Sequence, residues 1–150
     1  MNSLNIRPYH ADDHAALVAL LEEAFPDNPP WNTPEAMIQQ KLNHSPESLL
    51  VGITHGGELA ASVMAGYDGR RGWINALSVL KAHRGQGFGK VMVEAAITLI
   101  SDLGGVKVNL QITQGNTSLE AYYQRLGFIT ENRISMSIMT AAGKVYQDKQ

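Results

Sequence analysis

The sequence predicts an α/β (α+β) domain in which helices flank a mixed, mostly antiparallel sheet. Three observations carry that expectation. Apolar residues switch repeatedly between a spacing of two and a spacing of three to four, so strands and helices share the chain. Consecutive β-like segments are joined by "HGG" and "YDGRRG", short turns of the kind that make antiparallel hairpins. A stretch with three alternate glycines, "HRGQGFGK", lies between a strand and a helix. At 150 residues the chain is about one domain long, and no repeat or Ser/Pro-rich linker divides it, so residues 1–150 are expected to form a single domain.

The elements follow in order. "LNIRP" at 4–8 reads as a short strand, and over 11–25 Leu17, Leu20, Leu21 and Ala24 recur at helical spacing. The prolines of "PDNPPWNTP" forbid a helix over 26–34, after which Thr33 as N-cap and Pro34 at the first helical position restart one. "SLLVGIT", "ELAASVMAG" and "WINALSVL" are three successive antiparallel strands. Phe88, Met92, Ala95, Ala96, Leu99 and Leu103 form one apolar helical stripe that Gly104 and Gly105 end. "VKVNLQI" alternates as a half-buried strand. Leu119, Tyr122, Tyr123 and Leu126 repeat at helical spacing up to Gly127, a short strand is expected near Phe128, and Ile134, Met136 and Ile138 alternate in a final strand.

Composition narrows the function. Apolar content of 44% and charged content of 17% are ordinary for a soluble protein, and no apolar run approaches the roughly 18 residues that span a bilayer, so no membrane role is expected. "MNSLNIRPYH" lacks the pattern of an export signal, which makes a cytoplasmic location the expectation. Without cysteine the chain has no thiolate chemistry, and a formal net charge of -2 with no long cationic run argues against nucleic acid as the partner.

Glycines at a strand-to-helix junction let a backbone approach a ligand closely, and the helix N-terminus adds partial positive charge. A phosphate is the natural guest. A nucleotide-triphosphate loop needs G-x-x-x-x-G-K-[ST], yet counting back from Gly89 and Lys90 places Arg84 where its first glycine should stand, and Val91 replaces the hydroxyl. A dinucleotide fingerprint begun at Gly85 would require glycine at Lys90, and the upstream hairpins do not open a βαβ unit. ATP, GTP, NAD and FAD are therefore disfavoured.

Arg84-Gly85-Gln86-Gly87-Phe88-Gly89 instead resembles the [QR]-x-x-G-x-[GA] loop of the GCN5-related N-acetyltransferase (GNAT) superfamily, and "INALSVLKAHRGQGFG" also reproduces the strand before it. Asn116, Tyr123, Gly127 and Phe128 in "NTSLEAYYQRLGF" are similar to the family's N-x₆-Y-x₃-G-F segment. The likeness extends over nearly the whole chain, and "WNTPE" and "GYDGRRG" resemble a small bacterial subgroup. It implies a GNAT fold splayed between the strand 73–80 and the strand 106–113, with acetyl-CoA as acyl donor and direct attack by an amine of a small molecule or protein. By the same resemblance the backbone of Leu77 and Val79 would hold the pantetheine arm. Arg84, Gly85, Gln86, Gly87, Phe88, Gly89 and Lys90 would hold the pyrophosphate, and Asn116 would contact the cofactor while capping its helix. Tyr123 would protonate the departing thiolate, for which a phenol of ordinary pKa near 10 is suited.

Trp31, Asn32, Asp68 and Asn75 fall in segments that border the acceptor site in that fold. Two departures stand out: Leu119 replaces a common alanine, and Asn75 replaces a glutamate that many members carry as proposed base. A catalytically weak acyl-CoA-binding sensor or regulatory module is the alternative, and the acceptor could also be other than an amine or the acyl chain longer. The resemblance admits a homodimer. His10 and His14 are spaced as a chelating pair but have no third ligand, so they read as a solvated surface pair and no metal is expected.

Overall fold

The structure is a computed structural model, described here for residues 3–147. The chain divides into two compact units, one ending at Asn109 and the other beginning at Leu110.

The first unit is built on a five-stranded sheet in the order β1 (Leu4–Pro8), β2 (Leu49–Thr54), β3 (Leu59–Tyr67), β4 (Gly72–Val79) and β5 (Val108–Asn109). The first four strands pair antiparallel with their neighbours, and four-residue connections join β2 to β3 and β3 to β4 as hairpins. β5 runs parallel to β4, which requires the crossover that α3 (Phe88–Asp102) provides.

Helices α1 (His14–Ala24) and α2 (Pro34–His44) cover one face. Their Leu17, Leu20, Leu21 and Ile38 pack into one cluster with Leu49 and Val51 of β2 and Leu59 and Met64 of β3. Thr33 caps α2 as its position before Pro34 predicts, its hydroxyl accepting from the Ala36 N–H at 3.2 Å. α3 packs on β3 and β4 from the other face, and its buried residues are Phe88, Met92, Val93, Ala96 and Ile100. That stripe is rotated from the expected one: Ile100 lies in the core while Leu103 is 57% exposed, because the helix axis meets the sheet along Phe88, Met92, Val93 and Ile100. No helix among the described residues is long and apolar enough to cross a membrane.

Two strand expectations are corrected. "VKVNLQI" is a strand only at Val108–Asn109, with Val106 86% exposed, because the ladder with β4 holds just Gly72↔Val108 and Trp73↔Asn109. From Ile74 onward the outer edge of β4 carries no strand among the described residues. This is the opening that the expected splay requires.

The second unit contains α4 (Thr117–Arg125) and α5 (Ala141–Gln147), the latter not anticipated from the sequence. Neither a strand near Phe128 nor the expected final strand forms, and Ile134, Met136 and Ile138 are about nine-tenths exposed. Alternation makes a segment suited to a strand, but a strand exists only where a neighbour takes its backbone groups, and none does so among the described residues.

Candidate functional site

β4 is irregular where function was expected. Met64 pairs with Asn75 and Ser62 with Ser78, so β4 carries one residue more than β3 between these pairs. That β-bulge centres on Ala76, whose φ of 53° makes it the non-glycine residue with positive φ among those described. The Ser78 hydroxyl donates to the Ala76 carbonyl at 3.1 Å and helps hold the bend. Such strain collects where a strand must turn backbone groups away from its ladder, and here it lies beside the strand's open edge. Ala76 has no signal in the sequence, since alanine is not a turn residue.

Leu77 and Val79 lie on this strand, half-buried, and Val79 pairs with Ala61. A single 3-10 turn, Lys81–His83, then leads into the glycine stretch. Gly85 and Gly87 have φ of 81° and 80°, the left-handed region that glycine alone enters freely. A Cβ at either would meet nothing within 4 Å, so the space over both is open. Gly87 is the N-cap of α3, and the first intrahelical bond is Val91 N–H to the Gly87 carbonyl at 3.2 Å. The N–H groups of Phe88, Gly89 and Lys90 thus have no partner within their helix. The Arg84 guanidinium, exposed, donates from Nε to the Val79 carbonyl at 3.3 Å, which orients it beside the same loop. Lys90 is exposed and pairs loosely with Glu94 at 3.8 Å. Gln86 is exposed, whereas the Phe88 side chain is 3% exposed and belongs to the core, leaving its N–H as the group it can offer a ligand. The sum is a concave run of amide donors at a helix N-terminus with a cation at each end, an arrangement suited to a doubly charged phosphate group.

Asn75 stands directly opposite Met64 and shares its face, the side covered by α1 and α2, where it is exposed. Trp31 and Asn32 form the 3-10 turn Pro30–Asn32 ahead of α2, and the Trp31 carbonyl accepts from Gln40 Nε2 at 3.0 Å. Asp68 closes the β3–β4 turn. Its Oδ1 accepts from the Arg70 and Arg71 N–H groups, both at 2.8 Å, and these bonds, Arg71's foremost, hold its carboxyl below the usual range.

In the second unit the Asn116 side chain caps α4 by accepting from the Leu119 N–H at 3.2 Å. Tyr123 is 7% exposed and lies edge-on to Tyr122 and Phe128, with ring centroids 5.3 and 5.4 Å away. Burial first, then the neighbouring Tyr122, pushes its phenol up to about 12. Tyr122 is half-buried and its pKa is raised by burial as well.

His10 is exposed and the His14 side chain is 41% exposed, as expected of a surface pair, although His14 has defined partners. The Tyr9 hydroxyl and His14 Nδ1 lie 3.0 Å apart, and His14 Nε2 is 2.9 Å from Glu35 Oε2, a relay that joins the start of α2 to the end of β1. Lys41 was not foreseen: half-buried on α2, it donates to the carbonyl of Ala65 in β3, and desolvation lowers its pKa. Its signal was a cation between Ile38 and Leu42 on an apolar face. Among the described residues no group of three or more His, Asp or Glu could hold a metal ion.

The sequence profile of the Acetyltransferase (GNAT) family matches residues 14–128. An acetyltransferase of Yersinia pestis (strain Pestoides F) is 33% identical over 133 residues, 89% of this chain and 93% of that protein. Among solved structures, Ard1 from Thermoplasma volcanium superposes with a TM-score of 0.75 at 18% identity, covering 87% of this chain and 85% of that one. AAC(6')-Iy in complex with a bisubstrate analogue, CoA-S-monomethyl-acetylneamine, superposes with a TM-score of 0.73 at 18% identity, covering 92% and 99%.

Proposed function

The chain belongs to the GNAT family of acetyltransferases, and from that premise we propose that it moves the acetyl group of acetyl-CoA to an amine of a small molecule or protein, within one ternary complex. The observation that carries the cofactor reading is the glycine loop: Gly85 and Gly87 in the left-handed region under open space, leading into free N–H groups at the start of α3. These groups would take the pyrophosphate, with Arg84 as counter-charge. The open edge of β4 beyond Trp73 and the positive φ of Ala76 support this reading; the backbone of Leu77 and Val79 would pair with the pantetheine amides there.

The acyl donor supplies the activated carbonyl, so the protein's task is to bind, orient and manage protons. Tyr123 keeps its proton at any physiological pH and would hand it from the phenol oxygen to the leaving sulfur. Asn75 cannot accept the amine's proton, so that proton would leave through another acceptor, such as a water molecule. Trp31, Asn32 and Asp68 would frame the acceptor, and the whole chain acts as one acetyltransferase domain, a reading supported by a family match that runs from 14 to 128 across both units. The absence of any spanning helix among the described residues is compatible with action in the cytoplasm.

The test is a screen of acetyl-CoA consumption against amines, amino acids and peptides with mass shifts read on the products. A product 42 Da heavier is expected for at least one amine. CoA binding without turnover on any acceptor would favour the sensor reading instead.

A further inference from the structure

The loop Arg84–Gly87 contains two glycines, and glycine loses more backbone freedom on ordering than any other residue. A loop meant to present its amides in one arrangement needs its ends fixed by something else. The residues at those ends are His83 and Phe88, and their rings are stacked, with centroids 5.9 Å apart and planes 28° from parallel. His83 is in turn tied outside the loop: its Nε2 lies 2.8 Å from Glu58 Oε2. The backbone of Glu58 is fixed where it closes the β2–β3 hairpin, its carbonyl accepting from the Thr54 N–H at 2.8 Å and its N–H donating to Thr54 Oγ1 at 3.1 Å. The far end of the chain of contacts is equally fixed, since Phe88 is core.

Beside the pair lies an open cleft of about 500 Å³, lined by Thr54, His55, His83, Gln86 and Phe88 among others. The loop is therefore not walled in by packed side chains on that side.

We propose that His83, held by Glu58 and stacked on Phe88, is a positioning residue that staples the two ends of the glycine loop and pre-forms it for the cofactor's pyrophosphate. The idea rests on the cofactor reading above. The His83 and Glu58 side chains would act through the loop and not on the ligand, so removing either adds the ordering of a flexible loop to the cost of binding. Nothing in the motif itself points to Glu58, which lies 25 residues from His83 in sequence.

The experiment is calorimetric titration of CoA into the full chain and its variants, with circular dichroism and, on a confirmed acceptor, steady-state kinetics. His83→Ala should weaken CoA about tenfold. His83→Phe, which keeps the stack, and Glu58→Ala, which removes only the anchor, should each weaken it about threefold, in line with single exposed pairs and ring stacks. Glu58→Gln keeps an acceptor for Nε2–H and should restore near wild-type affinity. The double variant His83→Ala/Glu58→Ala should be no worse than His83→Ala, because the two act as one unit. The acetyl-CoA KM should rise with kcat unchanged, whereas a residue that served stability alone would lower the melting temperature and leave affinity as it was. A wild type that does not bind CoA overturns the cofactor reading and the staple with it. A wild type that binds, with His83→Ala and Glu58→Ala binding equally well, overturns the staple alone.

Discussion

Tyr123 and Gly87 are the residues on which the proposed chemistry turns most directly. Tyr123→Phe removes one oxygen from a ring whose edge contacts with Tyr122 and Phe128 remain, so fold and CoA affinity should persist. Loss of a general acid costs on the order of 10²–10⁴-fold in rate, concentrated in kcat. Because burial raises the phenol's pKa to about 12 in the folded chain, from an ordinary value near 10, the wild type should keep its acid function well past pH 10. The same shift has a definite sign for stability. The native state holds this proton more tightly than the unfolded chain, so the contribution is complete below about pH 10 and fades as pH rises from 10 toward 12. Near wild-type turnover by Tyr123→Phe, with chemistry rate-limiting, would make Tyr123 a packing residue only. Gly87→Val is the matching test of the loop. No atom lies within 4 Å of the new Cβ, so the cost is torsional, a β-branched residue forced to φ near 80°. Gly69→Val, at φ of 98° in the β3–β4 turn and equally uncrowded, should cost similar stability and leave CoA affinity intact, while Gly87→Val weakens it at least tenfold. Equal affinities in the two variants would remove Gly87 from the cradle.

At the scale of elements, most of the architecture was legible because the signals were local. Thr33 before Pro34 starts a helix wherever it stands, and "HGG" and "YDGRRG" close hairpins through residues three or four apart. What was not legible depends on neighbours distant in sequence. The buried face of α3 is rotated toward Ile100 because Gly72 at the start of β4 leaves room for it: a Cβ on Gly72 would stand 2.4 Å from Ile100 Cγ2. Gly72→Ala should therefore destabilise by about 2 kcal/mol in urea denaturation. Ile100→Ala alone leaves a cavity, at a cost of about 2–5 kcal/mol. The double variant should cost clearly less than the two added, since the new methyl then occupies vacated space; strict additivity would mean that the two elements do not meet at this contact. "VKVNLQI" and the stretch of Ile134, Met136 and Ile138 show the converse. Their alternation is genuine, but pairing is supplied by another strand and cannot be read from the segment itself.

For the whole molecule, cofactor choice is tested by ligand-linked stability. A ligand that binds only the native state at 100 times its Kd adds about 2.7 kcal/mol, so acetyl-CoA should raise the melting temperature by several degrees and equal concentrations of ATP, NAD or FAD by much less. A larger shift with NAD or ATP would contradict the cofactor reading. By itself the sequence determined the class of the fold, the order of its principal elements and the loop that marks the family, because periodicity, turn chemistry and a six-residue motif are properties of contiguous residues. Only the tertiary structure decided that β4 bends at Ala76, that its outer edge is open beyond Trp73, and that Tyr123 is buried among aromatic rings. It also decided that His14 meets Glu35, and that His83 meets Glu58 across the mouth of the loop. Each of these depends on which side chains the packed sheet and helices bring within a few ångströms, and sequence separation carries no record of that distance.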